Sequence, residues 1–260
     1  MKTRRDVAFC GIAVMAKASF PGRAKTRLCP PLTFEEGAAI NTAFLKDVAT
    51  NLIAASAEAS IAGSLAYGPP GSEGFFRAHM PAAIALHEVW RAGFDECLLE
   101  ALRLQFAAGH EAACVLNSDS PTLPAGLLSE MANVLKEPGD RAVLGPSTDG
   151  GYYLLAVKAI HPRLFEDIAW STGIVAEQTL DRAAEIGLPV HVLPEWYDVD
   201  DSEGLQMLIG ELLEGRPFSK AFRSSEARNS LALLQSMVSD ADFMERMGRT
   251  VRPNFAEAAA

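Results

Sequence analysis

Sulfur-based metal and redox signatures are missing from this chain. Its four cysteines, Cys10, Cys29, Cys97 and Cys114, are dispersed, with no Cys-x-x-Cys pair and no Cys/His cluster. That pattern excludes a structural zinc site and a disulfide framework, and it fits a reducing cytoplasm. No apolar run reaches the roughly 18–20 residues that a membrane-spanning helix needs. Excess positive charge is lacking as well: a net charge of −10 disfavours non-specific nucleic-acid binding. His79, His87, His110, His161 and His191 are scattered and receive no catalytic role. A secretory leader is not read either. The start, Met1 to Asp6, is basic, but the run from Val7 to Ala16 passes into Lys17 without a small-residue cleavage site, so it is read as a first strand.

What remains is enough for one substantial core with an appendage: 260 residues, 49% of them hydrophobic. After the first strand, Pro30-Pro31 blocks helix formation and Thr33-Phe34-Glu35-Glu36 forms a capping box, predicting a helix over 33–57. Strands are expected at 61–67 and 82–89, a helix at 94–108, a strand at 113–117 and a helix at 124–136 with Pro at its start. Short strands at 142–144 and 153–157 flank a turn at Asp149. They are followed by a helix at 173–186 capped by Ser171 or Thr172, a strand at 189–193 and a helix at 202–213. This alternation predicts an α/β fold: a three-layer, mainly parallel, Rossmann-like sheet covered on both faces. Beyond residue 215 only helix signals remain, at 226–237 and 240–247. We therefore expect a unit over 1–215 and a helical extension over 216–260, packed on the core or forming a homodimer with a second subunit. No internal repeat occurs, and the final alanines are the only low-complexity segment.

Carboxylates follow three of the expected strands. Ala112-Ala113-Cys114-Val115-Leu116 gives way to Asn117-Ser118-Asp119-Ser120-Pro121, and Asp149-Gly150-Gly151 and Asp198-Val199-Asp200-Asp201 repeat the arrangement. Open α/β sheets bind ligands at the edge where their strands end. Hard cations such as Mg²⁺ take one or two carboxylates and complete their shell with substrate phosphates, so Asp119 and Asp200 are the candidate ligands for Mg²⁺ or Mn²⁺. Asp119 lies too early to cap the helix at 124. Asp201 has a purely structural explanation, as the cap of the helix at 202. Asp149-Gly150 is also a favoured hairpin pair, so Asp149 is read either as a turn residue or as a ligand or base. A haloacid-dehalogenase-like phosphatase would need a second Asp two residues after the first, where this chain has Pro121.

Opposite in charge is the segment after the first strand, where Lys17, Arg23, Lys25 and Arg27 surround a Pro21-Gly22 turn. Arg supplies bidentate hydrogen bonds to phosphate and Lys a point charge. Lys25-Thr26 imitates the end of a P-loop, but Ser19 and Ala24 stand where that motif needs glycine. Trp170-Ser171-Thr172 precedes a helix N-terminus that could receive an anion, although capping alone explains Ser171 and Thr172. Tyr152, Tyr153 and Trp196 are read as core or pocket wall.

In order along the chain, Ala16-Lys17, Pro21-Gly22-Arg23, Lys25-Thr26-Arg27-Leu28, Ser118-Asp119-Ser120-Pro121-Thr122-Leu123-Pro124, Gly145-Pro146, Asp149-Gly150-Gly151-Tyr152-Tyr153-Leu154-Leu155, Trp170-Ser171-Thr172 and Asp198-Val199-Asp200 form a set. This set resembles the DUF2064-type family of bacterial GT-A-like transferases. It is more remotely similar to phospholactate guanylyltransferases. The resemblance spans roughly residues 7 to 213. It implies a nucleotide-diphospho-sugar transferase fold, with Asp119 and Asp200 as metal ligands and Lys17, Arg23, Lys25 and Arg27 facing phosphate. Read as a transferase site, the same residues place Lys25, Arg27 and Asp149 in catalysis, and Ser118, Gly150, Gly151, Ser171 and Thr172 at the nucleotide or substrate. The chain departs from the family pattern at Gly93-Phe94-Asp95-Glu96-Cys97-Leu98, at Asn117 and at Ser202-Glu203-Gly204-Leu205. The expected function is a metal-dependent transferase acting on a nucleotide-activated substrate and a small-molecule acceptor. Glycosyl transfer from an NDP-sugar stands first, nucleotidyl transfer releasing pyrophosphate second, and a non-catalytic nucleotide-binding protein third.

Overall fold

A computed structural model describes residues 7–250. The basic start at Met1–Asp6 and the final alanines lie outside the described residues. Among the described residues there are seven strands and eight α-helices. The strands are β1 (Cys10–Lys17), β2 (Ile61–Gly68), β3 (Ala85–Glu88), β4 (Ala112–Leu116), β5 (Ala142–Pro146), β6 (Tyr152–Val157) and β7 (Val190–Val192). The helices are α1 (Phe34–Glu58), α2 (Glu73–His79), α3 (Phe94–Ala107), α4 (Ala125–Lys136), α5 (Val175–Glu185), α6 (Ser202–Glu214), α7 (Arg228–Met237) and α8 (Ala241–Thr250).

The strands form one sheet in the order β3-β2-β1-β4-β6-β5-β7. β1 pairs in parallel with β2 and β4, β2 with β3, and β5 with β7. β6 runs antiparallel between β4 and β5. The sheet is mainly parallel, as the alternation of elements predicts.

Burial on both faces explains the near-continuous apolar strands. Along β4, Ala112, Cys114 and Leu116 join the core beneath α1, α4, α6 and α7, whereas Ala113 and Val115 join the core beneath α3 and α5. The final helices are tied to α1. Leu234, Met237 and Phe243 enter the first core, and Asp47 of α1 accepts four hydrogen bonds at the start of α7, from the backbone and side chains of Asn229 and Ser230 (2.6–2.9 Å).

Local signals are realised where they are self-contained. The Thr33–Glu36 capping box forms, and Asp201 caps α6 by accepting from the Glu203 and Gly204 backbone. The expected cap of α5 does not form. That helix starts at Val175 after Ile174, with Ser171 in the left-handed region at φ 65° and the Thr172 hydroxyl donating back to Ala169. α2, between the strands expected at 61–67 and 82–89 where no element is predicted, is a short helix after the Pro69-Pro70 turn.

Candidate active site

At the ends of β1 and β4 the basic loop folds back onto the acidic strand ends. Lys25 starts a short 3-10 turn over Thr26–Leu28 with its own backbone left-handed, φ 53° and ψ 36°. This conformation is uncommon for a side-chain-bearing residue. It sends the side chain inward, where Nζ lies 2.5 Å from Asp119 Oδ1, 2.9 Å from Asp200 Oδ1 and 2.9 Å from the Val199 carbonyl oxygen. The ammonium stands 5.2 Å from the Phe44 ring centre, and the Lys25 side chain is only 5% exposed. Arg27 donates to the other oxygen of Asp200 from a side chain that is 67% exposed. A backbone bond from Val199 N to Asp119 O (2.9 Å) fixes the two acidic segments side by side.

Electrostatics follow from that packing. Burial alone would pull the Lys25 ammonium down, but Asp119 and Asp200 outweigh it and hold its pKa above the usual lysine value. Burial pushes Asp200 up, yet Lys25 and Arg27 prevail and keep it below the ordinary carboxylate range. Burial pushes Asp119 up against the pull of Lys25. Asp198 is pushed up to about 7, first by burial and then by Asp149, Asp200 and Asp119. Among the described residues no cation forms an ion pair with it, unlike Asp119 and Asp200.

Two adjoining cavities open at this centre, and Arg27, Ser118, Asp119 and Asp200 line both. The first, about 400 Å³, is bordered by Lys17, Arg23 and Lys25 and by an apolar wall including Ala66, Val89 and Trp90. Trp90 packs so closely on Gly68 that a Cβ there would fall 2.2 Å from the indole ring. The second, about 810 Å³, is bordered by Asp149, Gly151, Ser171, Thr172 and Asp198, and by Phe94, Tyr152 and Trp170. Phe94 and Trp170 meet edge to face at 5.4 Å. Three buried polar atoms of residues on this wall, Asn117 Oδ1, Ser147 Oγ and Tyr152 OH, have no hydrogen-bond partner among the described residues.

Of the residues singled out in the sequence, Lys17, Arg23, Lys25, Arg27, Ser118, Asp119 and Asp200 come together around the first cavity, with Asp149, Gly151, Ser171 and Thr172 around the second. Gly150 lines neither. At φ 84° it packs against the 171–174 segment, where a Cβ would sit 2.0 Å from the Gly173 oxygen. Asp149 makes the anticipated turn, accepting from Gly151 N at 2.8 Å, and also faces the cavity. Tyr153 and Trp196 are fully buried core residues. Asp198, Asn117, Ser147 and Tyr152 were not read as polar contacts. For Asp198 a signal existed: alternate residues of an extended segment share a side, and the buried Val199 separates Asp198 from Asp200.

Among the described residues no group of three or more His, Cys, Asp and Glu converges closely enough to hold a metal ion unaided. The donors present are nonetheless all oxygens, and Asp198 is a partly buried carboxylate crowded by like charge with no ion pair among the described residues. That donor set suits a hard divalent ion that takes its remaining ligands from phosphate and water.

The mainly parallel seven-stranded sheet flanked by helices has the nucleotide-diphospho-sugar transferase fold. Residues 51–172 match the family described as uncharacterized proteins conserved in bacteria (DUF2064), which agrees with the resemblance carried by the motifs. A crystal structure described as a "putative nucleotide-diphospho-sugar transferase" from Desulfovibrio desulfuricans is similar over 92% of this chain and 99% of its own, with 25% identity and a TM-score of 0.76. CMP:2-keto-3-deoxy-manno-octonic acid synthetase, solved with CTP, shares the fold at 11% identity over 79% of this chain and 99% of its own, with a TM-score of 0.51. A search of curated proteins finds no sequence match.

Proposed function

We propose that the protein is a transferase that uses a nucleotide-activated substrate, and that the transferred group is a sugar. The observation that carries this reading is the meeting of the basic loop and the acidic strand ends at the junction of two cavities. One cavity has the cations and aromatic wall that suit a nucleoside diphosphate. The other has aromatic faces, two hydroxyl groups and an amide oxygen without partners among the described residues, which suit a sugar and its acceptor.

Lys17, Arg23 and Arg27 are exposed side chains on the first cavity and would bind the diphosphate. Trp90 would offer its indole face to the base. Asp119 and Asp200, with Asp198 beside them, would hold Mg²⁺ or Mn²⁺, which when bound supplies charge neutralisation for the diphosphate leaving group. Arg27 stabilises the same developing charge, a contribution that is often large in such transfers. The acceptor oxygen forms the new bond to the sugar carbon as the bond to the diphosphate breaks. Asp149, exposed on the second cavity, takes the acceptor proton. Phe94 and Trp170 shield the reacting groups from water.

Nucleotidyl transfer is the competing reading on the same fold. The two are separated by the released product. Glycosyl transfer yields a nucleoside diphosphate from an NDP-sugar with Mn²⁺ or Mg²⁺; release of pyrophosphate from an NTP would overturn the sugar assignment in favour of nucleotidyl transfer. Turnover of neither class would overturn the transferase reading altogether.

A further inference from the structure

An ammonium group has three N–H donors. In Lys25 all three have protein acceptors at hydrogen-bond distance: Asp119 Oδ1, Asp200 Oδ1 and the Val199 oxygen. None is left for a phosphate while Lys25 keeps these three contacts. The ammonium also lies between the two carboxylates assigned above to a divalent cation, and two cations cannot share that gap without strong repulsion. The exposed Arg27 is different, because its guanidinium keeps other N–H groups after pairing with Asp200.

We infer that Lys25 is a positioning residue that acts as a built-in counter-ion: it holds Asp119 and Asp200 in register and competes with a divalent cation for them. This inference rests on the proposed function, because it concerns the same two carboxylates. Its consequence is a coupling between ligands. A divalent ion alone meets a site already neutralised by Lys25 and binds weakly. A nucleotide brings phosphate oxygens that can accept from the Lys25 ammonium, so Lys25 releases the carboxylates more readily when nucleotide is present. By linkage, nucleotide and cation then strengthen each other's binding by the same factor. The left-handed backbone at Lys25 and the short 3-10 turn after it give the side chain a local pivot, without movement of the sheet.

The test is Mn²⁺ binding to the full chain, measured by electron paramagnetic resonance of free Mn²⁺ with and without added nucleoside diphosphate. Lys25→Met keeps the apolar stem and removes the charge. It is expected to bind Mn²⁺ at least about tenfold more tightly than the wild type without nucleotide, a change of roughly 1.4 kcal/mol. The wild type is expected to gain Mn²⁺ affinity when nucleotide is added, and Lys25→Met to lose most of that gain. Lys25→Arg, which restores the charge, should return to weak nucleotide-free binding. Adding Asp119→Asn to Lys25→Met should abolish the new site. Should Lys25→Met be too unstable to titrate, Mn²⁺ should raise its melting temperature more than that of the wild type, since a ligand of the folded state stabilises it by mass action.

If folded Lys25→Met binds Mn²⁺ no better than the wild type, while the wild type binds Mn²⁺ with nucleotide, the counter-ion role is wrong and the transferase reading stands. No Mn²⁺ binding by either protein under any condition overturns both.

Discussion

Asp198 shows most clearly how single side chains divide the work of this site. Two of its neighbours, Asp119 and Asp200, have Lys25 between them, whereas Asp198 is crowded by Asp149, Asp200 and Asp119 and has no ion pair among the described residues. A carboxyl whose pKa is raised on folding binds its proton more tightly in the native state. Native stability is therefore favoured at low pH and is lost as pH rises from about 4 toward about 7. Asp198→Asn removes the unfavourable charge. In metal-free protein we expect it to raise the melting temperature, with a gain that grows between pH 5 and pH 8; a pH series of thermal denaturation checks this. The sequence made Asp119 and Asp200 visible because each lies in an acidic segment after an expected strand. It hid Asn117 Oδ1, Ser147 Oγ and Tyr152 OH, which lack a partner among the described residues, because partners are a property of the packed molecule.

Elements were legible where their signals are local. Thr33 and Asp201 cap their helices because the residues that complete each cap lie two or three positions away. The start of α5 was not legible. Its entry is set by the close contact of Gly150 with Gly173, more than twenty residues apart, together with the bond from Ala176 N to Gly150 O (2.9 Å). Gly150→Ala would drive a Cβ into that contact at a backbone angle that disfavours any side chain. We expect a stability loss of about 1–3 kcal/mol and a displaced 171–174 segment, read as a larger fall in acceptor-dependent turnover than in nucleotide affinity. The docking of α7 was likewise invisible, since it depends on the buried Asp47 reaching across from α1. Asp47→Ala removes four acceptor contacts from the first turn of α7, and a loss of about 2–4 kcal/mol is expected in urea denaturation.

Across the whole molecule, the alternation of strands and helices announced a mainly parallel sheet, but not the place of β6. Inserting it antiparallel between β4 and β5 is a matter of long-range pairing, and it brings the Asp149 turn to the same edge as Asp119. Charge is also organised on this scale. In a chain of net charge −10, Lys17, Arg23 and Arg27 gather at one cavity and would attract an anionic nucleotide against an acidic background. Nucleotide affinity is expected to fall as ionic strength rises from 0.05 to 0.5 M (about), because exposed charges are screened beyond roughly 10 Å at 0.1 M salt; titration calorimetry at several salt concentrations checks this. The central claim is that carboxylates at the strand ends and cations of the basic loop form one catalytic centre for a nucleotide-activated donor. Its most direct test is release of nucleoside diphosphate from an NDP-sugar panel, comparing the wild type with Asp119→Asn at saturating Mn²⁺. The account predicts turnover by the wild type and a fall of at least about a hundredfold in the variant, while nucleotide binding persists. Equal rates in the two proteins would contradict it.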